Sequence, residues 1–297
     1  MITGIVFGLC QAICWASTSI FLRRLSARLD PYLVNGLRAA IGLLIIVPLM
    51  FITGGVGDYG KLTALRLVYL LSSVIVGGVF GDSLYVSALK TLGVTRAFPI
   101  TNGSPIFAAI FGLILLGEEI SATTFVGMAF VLFGVYLVAR PRGHVQSGPA
   151  ETIPRAQMLR GVIYASITAS LWGLAAVLVA LGLEGINSST ANTVRVPVVV
   201  LISLAVAGAR GQFGALRTID RKTFRNLFIA GILGWGLGGS LYVAAVQLAG
   251  PSKTAIMSST APLFAVPLSM IFLKERPGRY VALGTVISVL GVVLVIV

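Results

Sequence analysis

Residues 157 positions apart match along almost the whole chain, and this repeat constrains the fold more than any other feature. At that spacing Gly4 pairs with Gly161, Trp15 with Trp172, Asn35 with Asn192 and Arg38 with Arg195. Gly77 pairs with Gly234, Gly81 with Gly238, and Ser83-Leu84-Tyr85 with Ser240-Leu241-Tyr242. Pro105 and Glu118 recur as Pro262 and Glu275; Gly127 and Gly134 recur as Gly284 and Gly291. No gap separates these pairs. Each match is weak alone, but their common spacing means two copies of one unit of roughly 140 residues. The expected organisation is a first unit at 1–140, a polar connector at 141–157 and a second unit at 158–297.

Composition places these units in a membrane. Hydrophobic residues make up 57% of the chain and charged ones 10%, with a mean hydropathy of +1.00. A soluble domain carries about 25% charged residues and could not clothe its surface with so few. Apolar runs of spanning length, roughly 20 residues, predict an all-α polytopic protein with ten helices. These lie near 3–22, 32–53, 67–89, 95–116, 121–139, 159–182, 188–208, 223–248, 252–273 and 279–297. The first run is expected to be a span rather than a signal peptide: no basic segment precedes it, and it has a twin at 159–182.

Five helices per unit is an odd number, so the second unit must enter the membrane from the opposite side. The chain therefore reads as two inverted repeats. That architecture belongs to secondary transporters, whose substrate site lies near mid-membrane between the repeats.

The net charge of +13 does not imply a nucleic-acid partner. Lys and Arg sit in the short connections, where topology rules place them. Of the 22, the odd-numbered connections hold 17 and the even-numbered ones only Lys61, Arg66 and Lys253. Positive-inside then puts the odd connections in the cytoplasm and both termini outside.

Metal and enzyme chemistry find little support. Cys10 and Cys14 share a helix face and read as packing residues, with no CxxC or Cys/His cluster. His144, the single histidine, falls in the connector and reads as a solvated loop residue. No Walker, GxSxG or HExxH motif occurs, and the adjacent Glu118 and Glu119 point in different directions. No cofactor is expected.

Small residues mark helix faces: Gly77 and Gly81, Gly234 and Gly238, Gly127 and Gly134, Gly284 and Gly291. They permit close backbone approach where lipid removes the usual hydrophobic drive. They fit packing within the chain, or, on helices 5 and 10, a homodimer seam; the protein is expected to be a monomer or such a dimer in the bilayer.

Three ionisable residues fall within predicted spans, where each carries a cost of about 2.5–3.5 kcal/mol and needs a reason. Arg38 and Asp82 lie at similar depth and can form an ion pair, either structural or as a gate that couples a proton. Asp82 aligns with Gly239, so Arg195 has no matching carboxylate. Arg195 is thus free to hold a substrate anion, or to reach the headgroups. Trp15, Trp172, Trp235, Tyr85 and Tyr242 are intrahelical aromatics that suit a cavity wall or an interfacial belt. Helices 4 and 9 begin with Thr101, Asn102, Ser104, Ser258, Ser259 and Thr260. Pro99, Pro105, Pro262 and Pro267 interrupt them, which is tolerated where backbone lines a cavity or faces protein; alternatively Ser and Thr satisfy their own helix. Gln11 and Gln247 are further polar candidates.

These features form an ordered, doubled set. Each half has a Trp in its first helix, an Arg early in the second and Tyr-x-x-Ala near the end of the third (Tyr85 to Ala88, Tyr242 to Ala245). In the fourth, a Pro is followed by an apolar run ending in Glu. The pattern resembles the EamA family of the drug/metabolite transporter superfamily. The resemblance implies a ten-helix bacterial inner-membrane carrier of small metabolites, often an exporter of amino acids or related compounds. It also implies a central cavity lined by helices 1, 3, 4, 6, 8 and 9. Two departures stand out. Family members usually keep both termini in the cytoplasm, and the small multidrug relatives carry a Glu in helix 1 that is absent here. The site residues expected on this basis are Trp15, Tyr85, Asn102, Trp172, Trp235 and Tyr242 for substrate, with Arg38, Asp82 and Arg195 for gating or coupling. A proton-coupled exporter of cations, with Asp82 as its cation site, and a non-transporting scaffold or sensor are the competing readings. From the charge asymmetry, a phosphatase fused to the C-terminus is expected to be active, as it is only on the outer side; an inactive fusion would reverse the orientation.

Overall fold

The computed structural model describes residues 2–92, 97, 100–139, 154–261, 263–264 and 279–296. None of these forms a strand, and their main helices are α1 (Ile2–Ser26), α2 (Pro31–Ile52), α3 (Ala64–Leu92), α4 (Ser104–Leu116), α5 (Ala122–Ala139), α6 (Arg155–Gly182), α7 (Ser188–Ala209), α8 (Arg221–Ala249), α9 (Pro251–Ser258) and α10 (Arg279–Ile296). Six of them, α1, α2, α3, α6, α7 and α8, are long and apolar enough to cross a bilayer. The outward faces of α4, α5 and α10 expose Leu113, Ile114, Phe125, Phe133, Val286 and Val289. Such an apolar exterior belongs in lipid, and the protein is a multi-pass membrane protein. Part of the spans expected at 95–116 and 252–273 lies outside the described residues, with Pro99, Pro262, Pro267 and Glu275. The connector up to residue 153, with His144, lies outside them too.

The repeat spacing governs local structure as well as sequence. Asp30 caps α2 by accepting from the Tyr32 and Leu33 amides, and Asn187, its repeat mate, caps α7 by accepting from Ser189. Both helices are followed by a left-handed glycine, Gly54 at φ 71° and Gly211 at φ 69°, that opens a 3-10 turn (Gly55–Lys61 and Gln212–Thr218). A side chain would be strained at either glycine. Inside α3 and α8 the helix widens to π geometry over Val74–Gly81 and Ile232–Gly238. Composition alone did not foretell these wide turns.

Two pairs of equivalent helices, α2 with α7 and α5 with α10, meet across the halves and run antiparallel. The start of α2 reaches the end of α7 through Asp30 and Arg210, 3.6 Å apart. The start of α7 reaches the end of α2 through the Asn187 amide, which donates to the Thr53 carbonyl at 3.3 Å. Other contacts are exchanged in the same way. Gly81 lies against Trp172 and Gly238 against Trp15; Gly4 lies against Leu248 and Ala249, and Gly161 against Thr91 and Leu92.

The same holds for α5 and α10. A Cβ on Gly127 would stand 2.7 Å from the Gly291 carbonyl oxygen, and a Cβ on Gly291 2.7 Å from the Gly127 carbonyl oxygen. Gly134 meets Gly284 and Ser288. The glycine faces of these helices are therefore used within one chain, and a dimer through helices 5 and 10 would have to use their outer faces. Because the opposing atoms are backbone and cannot swing aside, Gly127→Leu is expected to destabilise the protein by about 2 kcal/mol or more. Thermal unfolding in detergent reads this; an unchanged midpoint would mean the α5–α10 contact is not tight.

Candidate functional site

A cavity of about 150 Å³ lies between the halves. By that measure it holds on the order of ten waters, a volume suited to a small metabolite. All nine residues singled out in the sequence line it: Trp15, Arg38, Asp82, Tyr85, Asn102, Trp172, Arg195, Trp235 and Tyr242. They come from α1, α2, α3, α6, α7, α8 and the turn before α4. Relative to the expected set of helices, α2 and α7 are added by their arginines, and Ser258 and Ser259 bring in the end of α9.

Four aromatics form a row across the middle. Ring centroids of Tyr85 and Trp172 are 5.1 Å apart, those of Trp172 and Trp15 6.4 Å, and those of Trp15 and Tyr242 5.4 Å. The row reads the same from either end, since Trp15 and Trp172, like Tyr85 and Tyr242, are repeat mates. Such tilted stacks are favourable beyond their buried area. Close approach at Gly81 and Gly238 lets the indoles sit directly on the α3 and α8 backbones.

The indole hydrogen bonds break this symmetry. Trp15 Nε1 donates to the Gly234 carbonyl at 3.4 Å, whereas Trp172 Nε1 donates to the Asp82 carboxylate at 3.1 Å. Trp235 Nε1 donates to Asn35 Oδ1 at 3.2 Å. The Asn35 amide in turn donates to the Gly78 carbonyl, and that of Asn192 to the Gly239 carbonyl. Both asparagines thus bind the π segment or its edge, where wide turns offer carbonyls that lipid cannot satisfy. The sequence carried a signal for them, the Asn35–Asn192 match, but not their role.

The two arginines differ. Both are buried, at 4% and 5% exposure. The expectation for Arg195 was an unpartnered cation or a reach to the headgroups. Instead its Nε donates to Ser73 Oγ and its Nη1 to Asn192 Oδ1, both at 3.0 Å. Neutral oxygens solvate the guanidinium in place of a carboxylate. Ser73 belongs to the other half, so no local pattern could reveal it. Arg38 has no such partners: its Nε and Nη1 are buried without an acceptor. No ion pair within 4 Å joins Arg38 to Asp82 among the described residues, although both face the cavity.

Two turns interrupt helical residues at the cavity. Asn102-Gly103, ahead of Pro105, and Ser259-Thr260, at the positions 157 residues further on, are turns between helical residues. Thr101, Ser258, Ser259 and Thr260 hydrogen-bond carbonyls of their own preceding turn. Gln11 and Gln247 do not line the cavity. Gln11 accepts from Ser258, and Gln247 donates to the Ile186 carbonyl.

A helical membrane bundle with a polar, aromatic-walled chamber at its centre has the build of a solute carrier, and comparison with known proteins agrees. The EamA-like transporter family matches residues 2–140 and again residues 159–297. The chain belongs to that family, a branch of the drug/metabolite transporters. An uncharacterized transporter of Archaeoglobus fulgidus is 25% identical over 98% of this chain and 97% of its own length. Human solute carrier family 35 member G1 is 25% identical over 92% of this chain and 73% of its own. A putative sugar uptake protein of Listeria monocytogenes is 24% identical over 72% of this chain and 73% of its own. A solved crystal structure, 14% identical, superposes with a TM-score of 0.74 over 98% of this chain and 96% of its own, a likeness of fold alone.

Because Asn192 supplies one of two hydrogen bonds to a buried cation, Asn192→Ala is expected to cost about 1.5–3 kcal/mol. A drop in the thermal midpoint in detergent, smaller for Asn192→Asp, checks this; equal losses for both would show that shape rather than the oxygen matters.

Proposed function

We propose that the protein is a secondary-active transporter of small metabolites, an exporter of amino acids or related compounds, that works by alternating access. Its ten helices form two inverted five-helix repeats, at 1–140 and 158–297, joined by a polar linker in a bacterial inner membrane. The observation that carries this reading is the central cavity between halves whose equivalent helices run antiparallel. Supporting it, the turn at Asn102-Gly103 precedes α4 and the turn at Ser259-Thr260 ends α9, both beside that cavity, as interruptions of helices do at carrier sites.

Each half grips the other through reciprocal contacts, so one can rock against the other without losing its own packing. Two sets of links lie at opposite ends of the α2–α7 pair. At one end Asp58 accepts from the Asn187 amide at 2.7 Å and Thr53 bonds Ser189 at 2.6 Å. At the other, exposed pairs join Arg28 to Asp220 and Arg210 to Asp30, each at 3.6 Å. Opening to either side would break one set and spare the other.

The aromatic row supplies a surface for the apolar part of a solute. Arg38, Asp82 and Arg195 supply charge for gating or coupling. Transport is the activity this reading assigns, in keeping with relatives that include an uncharacterized transporter, a solute carrier and a putative sugar uptake protein. A proton-driven exporter of lipophilic cations is disfavoured by charge, since among the described residues two arginines line the cavity against one carboxylate. A scaffold or sensor would have no use for a chamber walled by both halves.

Purified protein in proteoliposomes is expected to exchange a labelled metabolite identified from cells lacking or overexpressing it. Asp82→Asn should flatten any dependence of that flux on a pH gradient. Unchanged gradient dependence would remove Asp82 from coupling, and the absence of flux for any solute in such a screen would argue for the scaffold.

A further inference from the structure

Among the described residues, Arg38 is the buried cation of the cavity whose Nε and Nη1 lack an acceptor, and the repeat shows what removed it. Arg195 is held by Ser73 and Asn192. At the equivalent of Ser73 the second half has Ala230, which offers Arg38 no hydroxyl. At the equivalent of Asn192 the first half keeps Asn35, but its oxygen is taken by the Trp235 indole. Trp235 itself replaces Gly78 across the repeat. Two exchanges, Ser to Ala and Gly to Trp, therefore strip Arg38 of both acceptors that its twin enjoys.

A guanidinium buried in this way is unstable unless an anion reaches it. Asp82 shares the chamber, but its carboxylate is held by the Trp172 indole and does not pair with Arg38 among the described residues. A second open donor lies in the same wall: the amide nitrogen of Asn102, 8% exposed, also lacks a partner. Both residues line the cavity, and their unsatisfied atoms, buried behind its surface, are all donors. Among the described lining residues two arginines, Arg38 and Arg195, stand against one carboxylate, Asp82.

We propose that Arg38, helped by Asn102, is the anion-recognition site of the cavity, and that the solute is a small monocarboxylate with an apolar or aromatic body laid along the Tyr85–Trp172–Trp15–Tyr242 row. The planar guanidinium suits a carboxylate, and the rings suit the remainder. This names the substrate class of the carrier site proposed above and rests on that reading. An amino acid qualifies through its carboxylate; its ammonium group is not required.

All three tryptophans of the protein line the cavity, so their fluorescence reports occupancy directly. Purified protein in detergent is titrated with 3-phenylpropionate, phenylalanine, phenylalaninamide and phenethylamine. The two carboxylates are expected to give a saturable change in emission, and the amide and the amine to bind at least about tenfold more weakly, as loss of a charge-assisted contact predicts. Arg38→Gln should erase that preference. Ala230→Ser should weaken carboxylate binding without altering any charge, because it returns to Arg38 the kind of acceptor that Arg195 has; it keeps the test open if Arg38→Gln fails to fold. Equal binding of acid and amide, no response to either carboxylate, or undiminished carboxylate binding by both variants would overturn the proposal. Flux in proteoliposomes separates the two readings. Arg38-dependent binding of acid without flux upholds the anion site and defeats the carrier, whereas flux of the amine or amide but not the acid upholds the carrier and defeats the anion site.

Discussion

A helix that widens its turn leaves backbone carbonyls unpaired, and lipid offers them nothing. The chamber depends on how this protein meets that constraint. The wide turns of α3 and α8 run alongside the cavity, and each is bound by an asparagine from the neighbouring helix of its own half: Asn35 on Gly78 and Asn192 on Gly239. With the backbone satisfied, glycines at those turns can accept an indole from the opposite half at van der Waals contact. The aromatic row is therefore set by two side-chain amides that are mates across the repeat. If they were lost, the π turns would have to return to α geometry or expose polar backbone to hydrocarbon.

Symmetry and asymmetry have separate work here. The caps, the left-handed glycines, the wide turns and the aromatic row are duplicated across the halves, and they build the frame. Charge is not duplicated. Asp82 faces Gly239, Ser73 faces Ala230 and Gly78 faces Trp235 across the repeat. Each exchange is small, yet together they give one arginine a neutral solvation shell and leave the other open. A protein made of two copies of one unit can thus keep its packing and place a single charged group off-centre.

Much of this was legible in the sequence. Composition and run length are enough for helices in a membrane, because lipid leaves a chain this apolar few other options. The 157-residue spacing exposed the aromatic quartet, since Trp and Tyr that recur inside spans must face something other than lipid. What stayed hidden was pairing over long separations. Nothing near Arg195 announces Ser73, 122 residues away, so the argument from the missing carboxylate favoured the wrong arginine as the open one. Gln247 looked like a cavity residue because it is polar and intrahelical, yet it ties α8 to the turn before α7 through Ile186. Wide turns also leave no signature: the glycines of 77–81 fit ordinary close packing equally well.

The antiparallel pairing of α5 with α10 has a consequence for how the chain is held together. In that pair, as in the α2–α7 pair, a helix of one half packs against its counterpart in the other. The covalent link between Ala139 and Pro154 supplies proximity. A tether of that length keeps the halves at an effective concentration of about the millimolar range. In a bilayer, where both halves already share two dimensions, that is a modest contribution beside two long helix seams. The bond between the halves is better described as an interface than as a hinge in one chain, and its closeness is written in the glycines of its seams.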